Sequence, residues 1–182
     1  MSASRATRRA MRVCLALLLP LLVLASGCGY KQVRYAQALG DVSRVSVQTL
    51  SNDSDEPGIE MMVSEALRRE FLRRGAVSLV ANPKHADLAL GGRVLRIRTQ
   101  PRSFSATVLA LEYSVTLEID VQVTRADGER VVLDVRSLRE TAIYLASADL
   151  EAGRKNRDEA LRRISGLLAA RVYDGIYMET TR

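Results

Sequence analysis

The amino-acid sequence predicts an α+β domain: a two-layer sandwich in which two helices pack on one face of a mostly antiparallel sheet of about four strands. Three observations carry this expectation. From Leu109 to Val123 apolar and polar residues alternate strictly, an amphipathic helical stretch lies on either side of that strand in the chain, and an Asp127-Gly128 turn follows it. A sheet with one apolar face and two helices with one apolar stripe each are most simply buried against one another.

Residues 1–27 are read as a signal peptide. Arg5, Arg8, Arg9 and Arg12 form a basic start, Val13 to Leu24 is an uncharged apolar run, and Ala25-Ser26-Gly27 are small. The run falls short of the roughly 20 apolar residues that cross a bilayer, and Pro20 interrupts it. Leu24-Ala25-Ser26-Gly27-Cys28 resembles the lipobox of bacterial lipoproteins, which makes Cys28 the lipid-bearing first residue of the mature chain. Ala25-x-Gly27 also suits the ordinary signal peptidase, and that route would leave a secreted chain with a free Cys28. Gly29 stands where an inner-membrane retention signal would have Asp, so the lipoprotein analogy implies sorting to the outer membrane. Residues 28–41 are the lipidated N-terminus and a tether without sustained periodicity. Residues 42–182 form a single domain.

Within that domain Val45, Val47 and Thr49 alternate with Ser46 and Gln48, as in a half-buried strand. The polar loop Ser51 to Glu56 ends it. Pro57 suits the first turn of a helix, Glu56 and Glu60 favour its positive end, and Ile59, Met62, Val63, Ala66 and Phe71 make an apolar stripe opposed by Glu65, Arg68, Arg69 and Arg73. Gly75 marks the stop. A short strand near Val77 to Val80 precedes the Asn82-Pro83 turn, and a longer strand runs from about Asp87 to Thr99. Its apolar residues change parity between Val94 and Leu95, which predicts a bulge at Gly91-Gly92 or just after it. The alternating strand comes next, then the Asp127-Gly128 turn into Val131, Leu133 and Val135. Asn156 to Tyr177 is an amphipathic helix with Leu161, Ile164, Leu168, Val172 and Ile176 along one side.

Composition narrows the function classes. Removing the signal leaves 155 residues, enough to bury roughly 70% of the unfolded surface in one core. Four of the 27 basic residues leave with the signal, so the mature balance is 23 basic against 21 acidic residues. A near-neutral chain with two Phe, no Trp and no basic-aromatic repeat does not read as a nucleic-acid binder. One cysteine survives processing, so no internal disulfide forms.

No catalytic set or cofactor motif is legible, and the chain is read as a non-enzyme without a metal or cofactor. His85 is the sole histidine and sits in a polar loop, too isolated for a triad or a zinc site. Glu118 and Asp120 share a strand face roughly 7 Å apart, a spacing open to acid-base work but equally that of a solvated sheet face. Arg96, Arg98 and Arg102 are the candidate binding residues. If no further bulge intervenes, Arg96 and Arg98 project from one face and Arg102 follows in the adjoining loop, an arrangement suited to phosphate or carboxylate. The alternative is that these charges guard a strand edge against aggregation.

Cys28-Gly29-Tyr30, Asn52 with Pro57-Gly58-Ile59-Glu60, Ala86-Asp87-Leu88 and Glu159-Ala160 together resemble the lipopolysaccharide-assembly lipoprotein family, LptE. The resemblance spans nearly all of residues 28–182 in element order. It implies a two-helix, four-stranded domain that plugs the lumen of the outer-membrane β-barrel LptD, assists its assembly and helps deliver lipopolysaccharide to the cell surface. It places the chain at the outer membrane by its lipid anchor, with the domain on the periplasmic side or within the barrel. Members of the family bind lipopolysaccharide through basic residues, and here charge position selects Arg96, Arg98 and Arg102. The alternative partner set is another envelope transport, secretion or cell-wall system served by an accessory lipoprotein.

Overall fold

In the computed structural model, which describes residues 39–74, 77–104, 110–133 and 138–180, the chain runs β1 (Arg44–Val47), β2 (Ser51–Asn52), α1 (Ile59–Arg74), β3 (Ser78–Leu79) and a 3-10 turn (Pro83–His85). It continues through β4 (Leu88–Phe104), β5 (Ala110–Arg125), β6 (Arg130–Val131), β7 (Arg139–Leu145) and α2 (Leu150–Thr180). Residues 1–27, which the sequence reads as a signal peptide, and Cys28 lie outside the described residues.

The α+β class is as the sequence predicts, but among the described residues the sheet has seven strands rather than about four. It is also mixed. β1 pairs in parallel with both β3 and β4, and β2 follows β1 along the same side of β4, again in parallel. The remaining pairings, β4 with β5 and β5 with β6 and β7, are antiparallel. β7 was illegible as a strand for a physical reason: its core-side residues include Glu140 and its solvent-side residues include Ile143 and Leu145, so the expected alternation is scrambled. Glu140 survives on the core side because Arg171 of α2 pairs with it.

The core lies between the sheet and the two helices. Val115, Leu117, Ile119, Val121 and Val123 of β5 are buried against Ile59, Val63, Leu67 and Phe71 of α1 and Leu161, Ile164, Leu168, Val172 and Ile176 of α2. Leu111, on the same side of β5, is half exposed. Towards that end the layer above the sheet thins to the stacked Tyr113 and Tyr144 rings and the start of α2, which leave an open groove. Helix α2 begins at Leu150, earlier than its apolar stripe indicates, with the Asp149 carboxylate accepting from the Glu151 amide.

Side chains of the polar loops fix where the elements start. Asn52 donates to the Glu56 carbonyl and the Glu60 carboxylate while its oxygen accepts from the Ser54 amide, closing the loop that leads into α1. The helix itself starts at Ile59 rather than Pro57, because Gly58 takes a φ of 82° that breaks the helical path. Asp87 ties β4 to the entry of β1. Its carboxylate accepts from Arg44 Nη2 at 2.7 Å, from the Ser43 and Arg44 amides, and from Ser43 Oγ. The Arg44 guanidinium, followed by the two amides, holds that carboxyl well below the usual carboxylate range. At the other end of α1, Arg74 reaches Asp174 of α2 at 2.7 Å and lies over the Tyr173 ring at 4.4 Å, joining the two helices.

Candidate functional site

The face of the sheet away from the helices is set by one irregularity in β4. Leu88, Leu90 and Val94 point to the core, and Ala89, Gly91 and Arg93 point out. The register then shifts between Val94 and Arg96, leaving Leu95 without a partner. Because side chains alternate with a period of two, that one extra residue turns Ile97 inward and Arg96 and Arg98 outward. The bulge therefore lies just after Gly91-Gly92, and the glycines have a separate use. Gly92 has a φ of 148°, and a Cβ there would meet the Asp120 carbonyl oxygen at 2.1 Å, so the two strands approach at a distance only glycine allows.

Cross-strand pairing assembles the outer face into rows. Arg96 stands opposite Glu118, and Glu118 in turn stands opposite Arg139 of β7. In the next row Arg98 faces Thr116, which faces Thr141, and the two threonine hydroxyls lie 2.8 Å apart. Arg96, Arg98, Arg139, Glu118 and Thr116 line a depression of about 190 Å³. Three guanidinium groups share one carboxylate there, since Arg96 Nε lies 3.5 Å from Glu118 and Arg98 has no ion pair among the described residues. The depression thus carries a surplus of two positive charges with free planar donors, the chemistry of a phosphate or carboxylate site.

Arg96 and Arg98 are brought together as the sequence predicts. Arg102 is not with them. It lies in β4 rather than in a loop, at the second irregularity between Pro101 and Ser103, and it does not line the depression. Four residues of extended chain separate it from Arg98, roughly 13 Å. Arg139 completes the depression, and it is not legible in the sequence because β7 lacks the alternation that marks a strand. Its only sequence signal is a basic residue beside the Glu140-Thr141 pair.

The other polar features of this face are neutralised. Arg93 lies between Asp120 at 3.4 Å and Asp53 at 3.7 Å, at the rim of a second, larger depression lined also by Gln48, Ser51 and Gln122. Glu118 and Asp120 each face an arginine, Arg96 and Arg93 respectively, which offsets their charge. His85 is exposed in the 3-10 turn. Among the described residues no group of three or more His, Cys, Asp or Glu is placed to hold a metal ion, and no helix is long and apolar enough to cross a membrane.

Comparison with known proteins places the chain in a family. The family model LptE, Lipopolysaccharide-assembly, matches residues 42–176. The solution structure of lipoprotein B from Nitrosomonas europaea is similar in fold, with a TM-score of 0.52 at 12% identity, covering 72% of this chain and 80% of that one. The crystal structure of rare lipoprotein B from Shewanella oneidensis has a TM-score of 0.49 at 16% identity, covering 72% and 92%. No curated protein sequence matches significantly.

Proposed function

This chain belongs to the LptE lipopolysaccharide-assembly family, and on that premise we propose that it is an outer-membrane lipoprotein, lipid-anchored through Cys28, that plugs the LptD β-barrel as its assembly partner and binds lipopolysaccharide. The role is one of binding rather than catalysis. The observation that carries the reading is the charge surplus around Arg96, Arg98 and Arg139 on a sheet face that the helices leave open. Lipopolysaccharide presents phosphate groups, and arginine keeps its charge at physiological pH while offering paired donors to phosphate. Arg102 stands farther along the same strand and would meet a second anionic group of so large a ligand.

Titration of the purified protein with lipopolysaccharide tests this. The Arg96→Glu, Arg98→Glu, Arg102→Glu triple variant should bind more weakly than wild type once both are shown to be folded, and substitution by Lys should weaken binding less. Unchanged affinity would return these residues to the role of a charged strand edge. The barrel partnership is tested separately by photo-crosslinkers at Asp53, Arg102 and Asp127, which should capture one large outer-membrane protein. Mass spectrometry of membrane-extracted protein tests lipidation, and an unmodified Cys28 thiol at the mature N-terminus would overturn it.

A further inference from the structure

We infer that the open edge of β4 beyond Val94 is a strand-addition site for an extended acidic segment of a partner protein. Among the described residues β2 is the last strand beside β4 on that side, and its pairing ends at Asn52 opposite Val94. From Leu95 to Phe104 β4 continues with β5 on its other side only. The backbone phase of this stretch follows from the neighbouring bonds. The Leu111 carbonyl of β5 accepts from Ala146, on the β7 side, so odd-numbered residues of β5 bond toward β7 and even-numbered ones toward β4. Arg96, Arg98 and Gln100 therefore bond to Glu118, Thr116 and Ser114, and the N–H and C=O groups of Ile97 and Thr99 point out of the sheet.

The opposite edge is treated differently. On β7 the Arg139, Ile143 and Leu145 carbonyls accept from Arg171, Arg163 and Asn156 of α2, at 3.1, 3.1 and 3.0 Å. Helix side chains thus occupy three of the four outward acceptors that an incoming strand would need, Thr141 being the fourth. No such cover lies over Ile97 or Thr99 among the described residues. A strand laid beside them, about 4.8 Å from β4, brings every second side chain onto the outer face next to Arg96 and Arg98. Acidic side chains at those positions meet the charge surplus, and small apolar ones at the alternate positions lie beside Ile97 and Thr99. Pro101 lacks an N–H and limits the added ladder to this short register.

Hydrogen exchange on the full chain, with a short synthetic peptide alternating Glu and Val as the probe, tests the site. The Ile97 and Thr99 amides should exchange freely in the unbound protein and slow by about tenfold or more when the peptide is saturating. A peptide alternating Lys and Val should give no protection. Thr99→Pro removes an outward N–H without touching the internal ladder and should weaken peptide binding about tenfold, whereas Thr99→Ala should not. Lipopolysaccharide binding needs no Thr99 amide and should survive Thr99→Pro, so the two readings fail independently. Unslowed amides in the wild-type protein, equal binding of the two peptides, or full binding by folded Thr99→Pro would overturn the inference.

Discussion

Arg157 of α2 grips Glu56, in the loop before α1, through two parallel hydrogen bonds of 2.7 Å each. The two residues are 101 positions apart, and the Glu56 carbonyl also accepts from Asn52 at the end of β2. One carboxylate thus links the helix that covers β7 to the loop that starts the other helix. Both side chains are about one-quarter exposed, so water weakens the pair without cancelling it. Arg157→Ala should lower the unfolding free energy by about 1–3 kcal/mol. Arg157→Lys should recover only part of that, since an ammonium group cannot make the paired contact. Urea unfolding of the three proteins measures both, and a wild-type midpoint for the alanine variant would show that solvent screens the pair to nothing.

The two sides of β5 should respond very differently to truncation. Leu117 is fully buried, and its replacement by Ala should cost about 2–5 kcal/mol through lost transfer energy and the cavity left behind. Thr116 points to the outer face and shares one hydrogen bond with Thr141, so Thr116→Ala should cost about 0.5–1.5 kcal/mol. Similar losses for the two would mean that the core face is assigned wrongly.

What the sequence made legible follows where one physical signal dominates. Val115 to Val123 alternate because one side of β5 is buried and the other wet, and the stripe from Leu161 to Ile176 is periodic because α2 packs along one side. The signal fails where contacts between distant residues decide. Glu140 on the core side depends on Arg171, and Leu111 loses its cover where the helical layer thins, and neither fact is written locally. The candidate site divides the same way. Arg96 and Arg98 were visible as neighbours in sequence, whereas Arg139 joins them only through the pairing of β7 with β5. The family-like Asn52 and Asp87 prove to be organisers of the fold, closing a loop and joining two strands.

Asp87 should make stability depend on pH. Its carboxyl titrates lower in the folded chain than in the unfolded one, chiefly because Arg44 bonds its charged form. A depressed folded pKa contributes stability that is present above the ordinary carboxylate range and is lost as the pH falls toward the folded value. Asp87→Asn should therefore melt lower than wild type at neutral pH, and the gap should narrow below about pH 4. Because Asp87 and Arg44 are partly exposed, added salt should shrink the neutral-pH gap as well. Melting curves across pH check this, and a constant gap would show that Asp87 matters for packing and not for charge.

Arg139 provides the sharpest test of the basic depression, because it lies on a different strand from the arginines the sequence singled out. If the depression binds phosphate as a unit, Arg139→Glu should weaken lipopolysaccharide binding about as much as Arg98→Glu, although the two residues are 41 positions apart. Arg93→Glu should matter less, since Asp53 and Asp120 already offset that charge. The contrast between Arg139 and Arg93 separates a shaped site from diffuse attraction to a basic surface, for which any lost arginine would count alike. Salt sharpens it further: exposed charges are screened over roughly 8 Å at physiological ionic strength, so the diffuse part of the binding should fade with added salt while the difference between the two variants persists. Titrations of the three folded variants at low and physiological salt decide the matter, and equal losses for Arg93→Glu and Arg139→Glu would remove the depression as a site.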